Sequence, residues 1–287
     1  EANVTQKILL RVTPGIDPHT YEAVSTGKVD SKFGAAVETG QAMELVKLAL
    51  TLPHLDLRGL HCHVGSQVFG EDVYQRTLDI MVPFLASIRE ETGVTLSDLN
   101  LGGGYGVRYT AEDEAINIPA RLAELAAYLK EETERLGLPM PRFLMEPGRS
   151  IVADAGMTLY TVGSVKRIPG YKQYAAVDGG MTDNPRYALY QSAYEAVVAN
   201  KAAQQKDFTA TIAGRCCESG DLIQENIQLP EMQRDDLLAV LTTGAYNFTM
   251  ASNYNRLCRP ALVMVRNGKA RLAVRRQTFA DLVACDL

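Results

Sequence analysis

The chain has 287 residues, 46% of them hydrophobic and 22% charged, with 29 basic against 34 acidic side chains and a net charge of −5. That composition is of a soluble globular chain long enough for one large or two ordinary domains. The acidic balance and the lack of a basic run argue against a nucleic-acid surface, and no apolar stretch approaches a membrane span. The five cysteines (Cys62, Cys216, Cys217, Cys258 and Cys285) are odd in number and lack paired zinc spacing. They read as reduced thiols in a cytoplasmic protein. The first residue is Glu1 and no signal peptide is visible, although that means less if the chain begins inside a longer protein.

In chain order, KILLRV (7–12) is β-branched and apolar, closes on Thr13, Pro14 and Gly15, and is expected to be a strand. Residues 38–52 carry Ala42, Leu45, Val46 and Ala49 on one helical face. LDLRGLHCHV (55–64) is a strand, and 71–93 a helix that Pro83 bends and Gly93 stops. LSDLNLG is a strand, 118–137 a helix with Pro119 in its first turn and Gly137 at its end, and 141–148 a strand. Such alternation makes parallel strands joined by helical crossovers, in either an open doubly wound sheet or part of a (β/α)₈ barrel. After about Ile151 the texture changes to short strand-like runs: MTLYTVGSVKRI, YKQYAAVDGG, DFTATIAGRCC, DLLAVLTTGAY and PALVMVRNGKARLAVRR, the last with RNGK as a hairpin turn. The expected division is therefore 1–152 and 153–287, the second part mostly β.

Three parallel strands end in polar or glycine-rich tips: HCHVGSQ (61–67), GGGYG (102–106) and EPGRS (146–150). In α/β folds such tips face one volume, where ligands gather. Gly102, Gly103, Gly104 and Gly106 suit either a tight turn or a nest of amides around a phosphate. Neither the dinucleotide fingerprint nor a phosphate-binding P-loop fits, because Val107 stands where the first needs glycine and no Gly-Lys-Ser/Thr follows. His61 and His63 lie two apart, so on a strand they point the same way, a spacing that suits a metal. Only His19 and His54 remain, neither at a strand tip, so no metal is favoured. The plainer reading of His61 is a buried, satisfied ring, whereas His63 is expected to face a ligand. Glu146 ends an apolar strand where a lone carboxylate is costly; its partner is either Arg149 or a bound cationic heterocycle. Beyond residue 151, DGGMTDNPRYALY, GRCCESGD and GAYNFTMASNYN break the strand pattern. They hold either tight turns and half-buried thiols, or a loop from which Cys217, Glu218 and Asp221 face a ligand.

HCHVGSQ, LNLGGGYG, FLMEPGRSIVA, DGGMTDNPRYALY, CESGD and GAYNFTMASNYNRLCRP, in this order, resemble the pyridoxal-phosphate (PLP) decarboxylases of the alanine-racemase-like barrel group, from about residue 8 onward. The resemblance implies part of a PLP-binding (β/α)₈ barrel (1–152), then a β-rich domain (153–287) that contributes substrate and dimer loops. It implies pyridoxal 5′-phosphate as cofactor and an amino-acid substrate. CESGD with NPRYALY favours diaminopimelate over ornithine or arginine, giving L-lysine and CO₂. Decarboxylation of another basic amino acid, or a non-catalytic regulatory relative, are the alternatives. By resemblance, Gly102, Gly103, Gly104 and Ser66 hold the cofactor phosphate, His63 packs on the pyridine ring and Glu146 meets the pyridine nitrogen. Arg149, with Tyr246, touches cofactor and substrate. Arg186, Tyr190 and Glu218 hold substrate groups, Cys217 returns a proton to the carbanion, and the CESGD loop reaches the neighbouring subunit of a homodimer. One feature departs from the family: no Tyr-Ala-x-Lys-Ala-like segment with a Schiff-base lysine is present. Only four strands of the barrel are visible. The expectation is that an N-terminal third of the enzyme is missing and that this chain alone does not bind PLP covalently.

Overall fold

A computed structural model describes residues 4–17, 27 and 29–287. His19 lies outside them. Contacts divide the chain into two compact units, one of residues 1–107 with 114–150 and the other of 108–113 with 151–287.

The first unit is strand–helix alternation. Its elements are β1 (Gln6–Thr13), β2 (Ala35–Ala36), α1 (Gln41–Thr51), β3 (Leu55–His61), α2 (Val73–Thr92), β4 (Asp98–Asn100), α3 (Ile118–Arg135) and β5 (Arg142–Leu144). The strands form one parallel sheet in the order β2-β1-β3-β4-β5. The four expected strands are present, and β2 is a fifth, too short to show in the sequence pattern. β1 runs one residue beyond its expected run at each end, whereas β3 stops at His61 and β5 at Leu144, short of theirs, where the tips turn away to meet one another.

The helices bury the faces their spacing implies, except that Leu45, expected on the buried face of α1, is 37% exposed. Ala42, Val46 and Ala49 of α1, Leu78, Met81, Leu85 and Ile88 of α2, and Leu125 and Leu129 of α3 pack into one core with Leu60, Leu99 and Leu101. Asn117 caps α3 by accepting from the Ala120 amide at 3.2 Å, with Pro119 in the first turn. Gly93 ends α2 at φ 71°, a left-handed conformation that glycine adopts without strain.

The short α4 (Arg149–Val152) spans the division at residue 150, after which the second unit follows. That unit continues with β6 (Thr158–Arg167), β7 (Gln173–Val177), α5 (Arg186–Tyr190), β8 (Ala196–Val198), β9 (Phe208–Ala213), β10 (Leu222–Leu229) and β11 (Leu237–Val240). These strands form a six-stranded sheet, β10-β9-β7-β6-β11-β8, antiparallel except where β7 meets β9. Val162, Ile212, Ile223, Leu229 and Leu238 are fully buried in it. A separate ribbon of β12 (Leu262–Arg266) and β13 (Lys269–Val274) precedes α6 (Phe279–Leu282). Its two-residue turn has Asn267 at φ 52° and Gly268 at φ 70°, the mirror-image turn that matches strand twist. The segment NPRYALY, which breaks the strand pattern, is the helical turn α5.

Candidate active site

Parallel register builds the site of the first unit. Arg11 pairs with His61, His61 with Asn100 and Asn100 with Leu144, so these four residues form a row across β1, β3, β4 and β5 at the carboxyl ends of the strands. The chain then turns at each tip. Asn100 ties three tips together. Its backbone oxygen accepts from the Cys62 amide at 2.8 Å, its Oδ1 accepts from the Gly102 amide at 2.8 Å, and its Nδ2 donates to Glu146 Oε1 at 2.8 Å. The Glu146 amide donates to Gly102 O at 2.7 Å. Glu146 and the glycine turn are therefore immediate neighbours.

This geometry demands the glycines before any ligand is considered. A Cβ at Gly102 would come 2.6 Å from Cys62 O, at Gly103 2.1 Å from Glu146 O, and at Gly104 2.1 Å from Gly65 O. Gly102 and Gly104 also have φ of 72° and 111°. Tyr74 from α2 clasps the turn by donating its hydroxyl to Gly103 O at 3.0 Å.

Two expectations about the acid are corrected. The Glu146 side chain is 56% exposed, so it escapes most of the desolvation cost that a strand-end carboxylate suggested. The hydrogen bond it accepts comes from Asn100, and its Oε2 lies 3.4 Å from His61 Nε2. Arg149, one of the two partners the sequence offered for it, is buried and donates from Nη2 to Ser66 Oγ at 2.9 Å. His61 is likewise not the satisfied ring expected: its Nε2 is buried and faces Glu146 without an aligned hydrogen bond.

His63 lies beyond the end of β3, so strand periodicity does not orient it. Its Nδ1 accepts from the Gly103 amide at 3.3 Å, which leaves the proton of the neutral ring on Nε2. Burial lowers the pKa of both imidazoles, and the Arg11 guanidinium lowers them further while Glu146 opposes the shift. Both rings are therefore biased toward the neutral form. Burial pushes the Cys62 thiol, between them in sequence, up to about 12. Among the described residues no group of three His, Cys, Asp or Glu gathers to hold a metal, and no helix is long and apolar enough to cross a membrane.

In the second unit, buried Arg186 donates to Tyr194 Oη at 3.1 Å and Ser192 Oγ at 3.2 Å, with its guanidinium 4.8 Å from the Tyr109 ring centre. Tyr190 ends α5 and is half-buried. Cys217 and Glu218 are exposed. The Cys217 amide donates to Asn255 Oδ1 at 2.8 Å, and Glu218 Oε1 accepts from the Gly220 amide at 3.2 Å. Tyr246 is 44% exposed at φ 62°. Asp221 does not face a ligand from the loop, as one reading of the motif had it. It is buried, and its carboxyl oxygens accept from the Met181 and Cys216 amides at 2.5 and 2.7 Å. Gly180 and Gly214 leave room for it, since a Cβ there would come within 2.4 and 2.2 Å of its oxygens. Asp221 thus pins the DGGM and GRCC loops to each other.

Sequence reasoning misses Asn100 and Arg11 altogether, and weighs His61 only as a metal ligand or a buried, satisfied ring. A signal existed for Asn100: it is polar between Leu99 and Leu101, both wholly buried. For Arg11 there was none, since its relation to His61 depends on strand register.

A half-exposed carboxylate, two imidazoles whose pKa burial lowers, a hydroxyl paired with an arginine, and side-chain-free backbone beside them are a donor set that fits a phosphorylated pyridine. Comparison with known proteins agrees. Residues 1–153 match the family model described as the pyridoxal binding domain of pyridoxal-dependent decarboxylases. The chain belongs to this family, whose cofactor is pyridoxal phosphate. Among its relatives within the family are diaminopimelate decarboxylases. That of Bacillus subtilis (strain 168) is 47% identical over 280 residues, covering 98% of this chain and 64% of the relative. That of Staphylococcus aureus (strain COL) is 42% identical, covering 99% of this chain and 67% of the relative. The crystal structure of diaminopimelate decarboxylase from M. jannaschii in complex with L-lysine superposes with a TM-score of 0.86 at 32% identity, over 99% of this chain and 64% of that one. The chain thus spans about two thirds of the length of the relatives it matches.

Proposed function

We propose that the protein decarboxylates meso-2,6-diaminopimelate to L-lysine and CO₂ with pyridoxal 5′-phosphate, in the cytoplasm and as a homodimer. The observation that carries this reading is the contact of Glu146 with the glycine turn through Asn100 and the Gly102 carbonyl. It sets an acid for a ring nitrogen beside bare backbone suited to the phosphate. The substrate follows from the relatives, which are diaminopimelate decarboxylases at 42 and 47% identity.

Bound there, the cofactor supplies an electron sink for the pair left when CO₂ departs. Glu146 keeps a proton on the pyridine nitrogen, because a carboxylate beside it favours the cationic form. His63, held with Nδ1 toward Gly103, would pack its ring on the pyridine. The Gly104 backbone and the Ser66 hydroxyl would bind the phosphate, with Gly102 and Gly103 leaving room beside it because they carry no side chains; their amides already donate to Asn100 Oδ1 and His63 Nδ1. Arg149 orients that hydroxyl and meets cofactor and substrate. In the second unit, we assign Arg186, Tyr190, Glu218 and Tyr246 to the carboxylates and distal amine of the substrate, and Cys217 to the return of a proton. Arginine suits a carboxylate through paired hydrogen bonds. In domain terms, 1–152 holds the cofactor and 153–287 supplies substrate and dimer loops.

The test is release of CO₂ from meso-diaminopimelate by the protein supplied with pyridoxal 5′-phosphate, with lysine, ornithine and arginine as competitors. A kcat/KM for diaminopimelate at least a hundredfold above the others is expected, about the 3 kcal/mol that an unpaired buried polar group in the site costs. Equal or faster release from ornithine or arginine overturns the substrate assignment.

A further inference from the structure

We infer that Asn100 is a positioning residue for the ring-nitrogen acid: its carboxamide locks the Glu146 carboxylate to the glycine turn, so that the two ends of the cofactor site move as one body. The inference rests on the proposed role of Glu146 at the pyridine nitrogen, and deepens it. Three observations carry it. One carboxamide serves both ends, donating to Glu146 Oε1 and accepting from the Gly102 amide, each at 2.8 Å. The residue is buried as the last position of β4, between two wholly buried leucines, so the amide has no freedom to turn elsewhere. Its main-chain oxygen takes the Cys62 amide, which ties the same residue to the tip that carries His61 and His63.

The chemistry needs a carboxamide. Only Asn or Gln offers a neutral donor and acceptor on one planar group, and Gln is one methylene too long for this register. A half-exposed carboxylate like Glu146 has several rotamers. Fixing one oxygen with Asn100 leaves the other to face His61 Nε2 and the volume above the strand tips. Without Asn100, Glu146 is free to turn into solvent, and its effect on a ring nitrogen weakens with distance and with the higher dielectric.

The test uses pyridoxine 5′-phosphate as the probe, because it has the ring nitrogen and phosphate of the cofactor but no aldehyde, and so needs no lysine. The protonation midpoint of its ¹⁵N-labelled ring nitrogen is read by NMR on the bound probe. In the native chain the nitrogen stays protonated to higher pH than in free probe. In Glu146→Gln the midpoint falls back toward the free value. In Asn100→Ala it falls by about one pH unit, a tenfold loss of protonation, with the probe still bound. A native midpoint in Asn100→Ala, with Glu146→Gln lowered, overturns the role of Asn100 and leaves that of Glu146 standing. No change in Glu146→Gln overturns the reading of Glu146, and this inference with it. A second variant, Asn100→Asp, keeps the acceptor for the Gly102 amide and needs no probe. Two carboxylates at this distance do not both ionise, so ¹³C titration of the carboxyl carbons should show a coupled pair with one member raised. Two independent, ordinary titrations overturn the contact on which the inference stands.

Discussion

At the scale of single residues, the molecule separates cysteines that share a chemistry by their surroundings. Cys62 is wholly buried between the two histidines, and burial pushes its thiol up to about 12. Cys216 is pushed up to about 11 by burial and by the neighbouring Asp221. Cys217 and Cys285 are exposed. The thiolate is the reactive species, so brief iodoacetamide treatment at neutral pH should label Cys217 and Cys285 first and leave Cys62 unlabelled until the chain unfolds. Peptide mass mapping reads the order directly, and early labelling of Cys62 contradicts the burial described here. The Glu146 site was legible at this scale by residue type but not by partnership. Its exposure and its hydrogen bond from Asn100 both differ from what FLMEPGR suggested, because the strand ends two residues before the acid and the tip swings outward.

At the scale of elements, loops are fastened by buried polar side chains. Asp221 accepts from the amides of Met181 and Cys216, and glycines at 180 and 214 make room for it. Asp221→Ala leaves two part-buried amides without acceptors and should cost about 1–3 kcal/mol of stability, measured as a shift of the urea midpoint at unchanged m-value. A loss under about 0.5 kcal/mol, the range of an ordinary surface change, refutes the clamp. The CESGD motif thus divides its labour: Asp221 is structural, whereas Cys217 and Glu218 are exposed. Sequence spacing leaves open whether the three sit in a tight turn or face a ligand together, and does not separate Asp221 from the other two. The helices and the RNGK hairpin, by contrast, were readable, since each depends on residues a few positions apart.

At the scale of the whole molecule, the two histidines of the site make stability depend on pH. Both are lowered from 6.5 by burial and by Arg11. The unfolded chain therefore binds more protons than the folded one at pH values between the lowered pKa values and 6.5. Stability contributed by these groups is full above pH 6.5 and is lost as pH falls through that window. Denaturation of the native chain should show this slope, and His61→Gln with His63→Gln should flatten it. A slope unchanged in the double variant removes the histidines as its source.

Taken by itself, the sequence determined the alternation of strands and helices in 1–150, the turn to β structure after residue 151, the family, and which residue types stand at the strand tips. These follow from periodicity, capping and turn chemistry, all of which act over a few residues. Only the tertiary structure decided the partners: Arg11 beside His61, Asn100 between Glu146 and Gly102, Arg149 on Ser66, and Asp221 beneath two loops. Those contacts join positions tens of residues apart. They are set by parallel register and by the close packing of strand tips, where one ångström decides whether a side chain fits or a glycine is required.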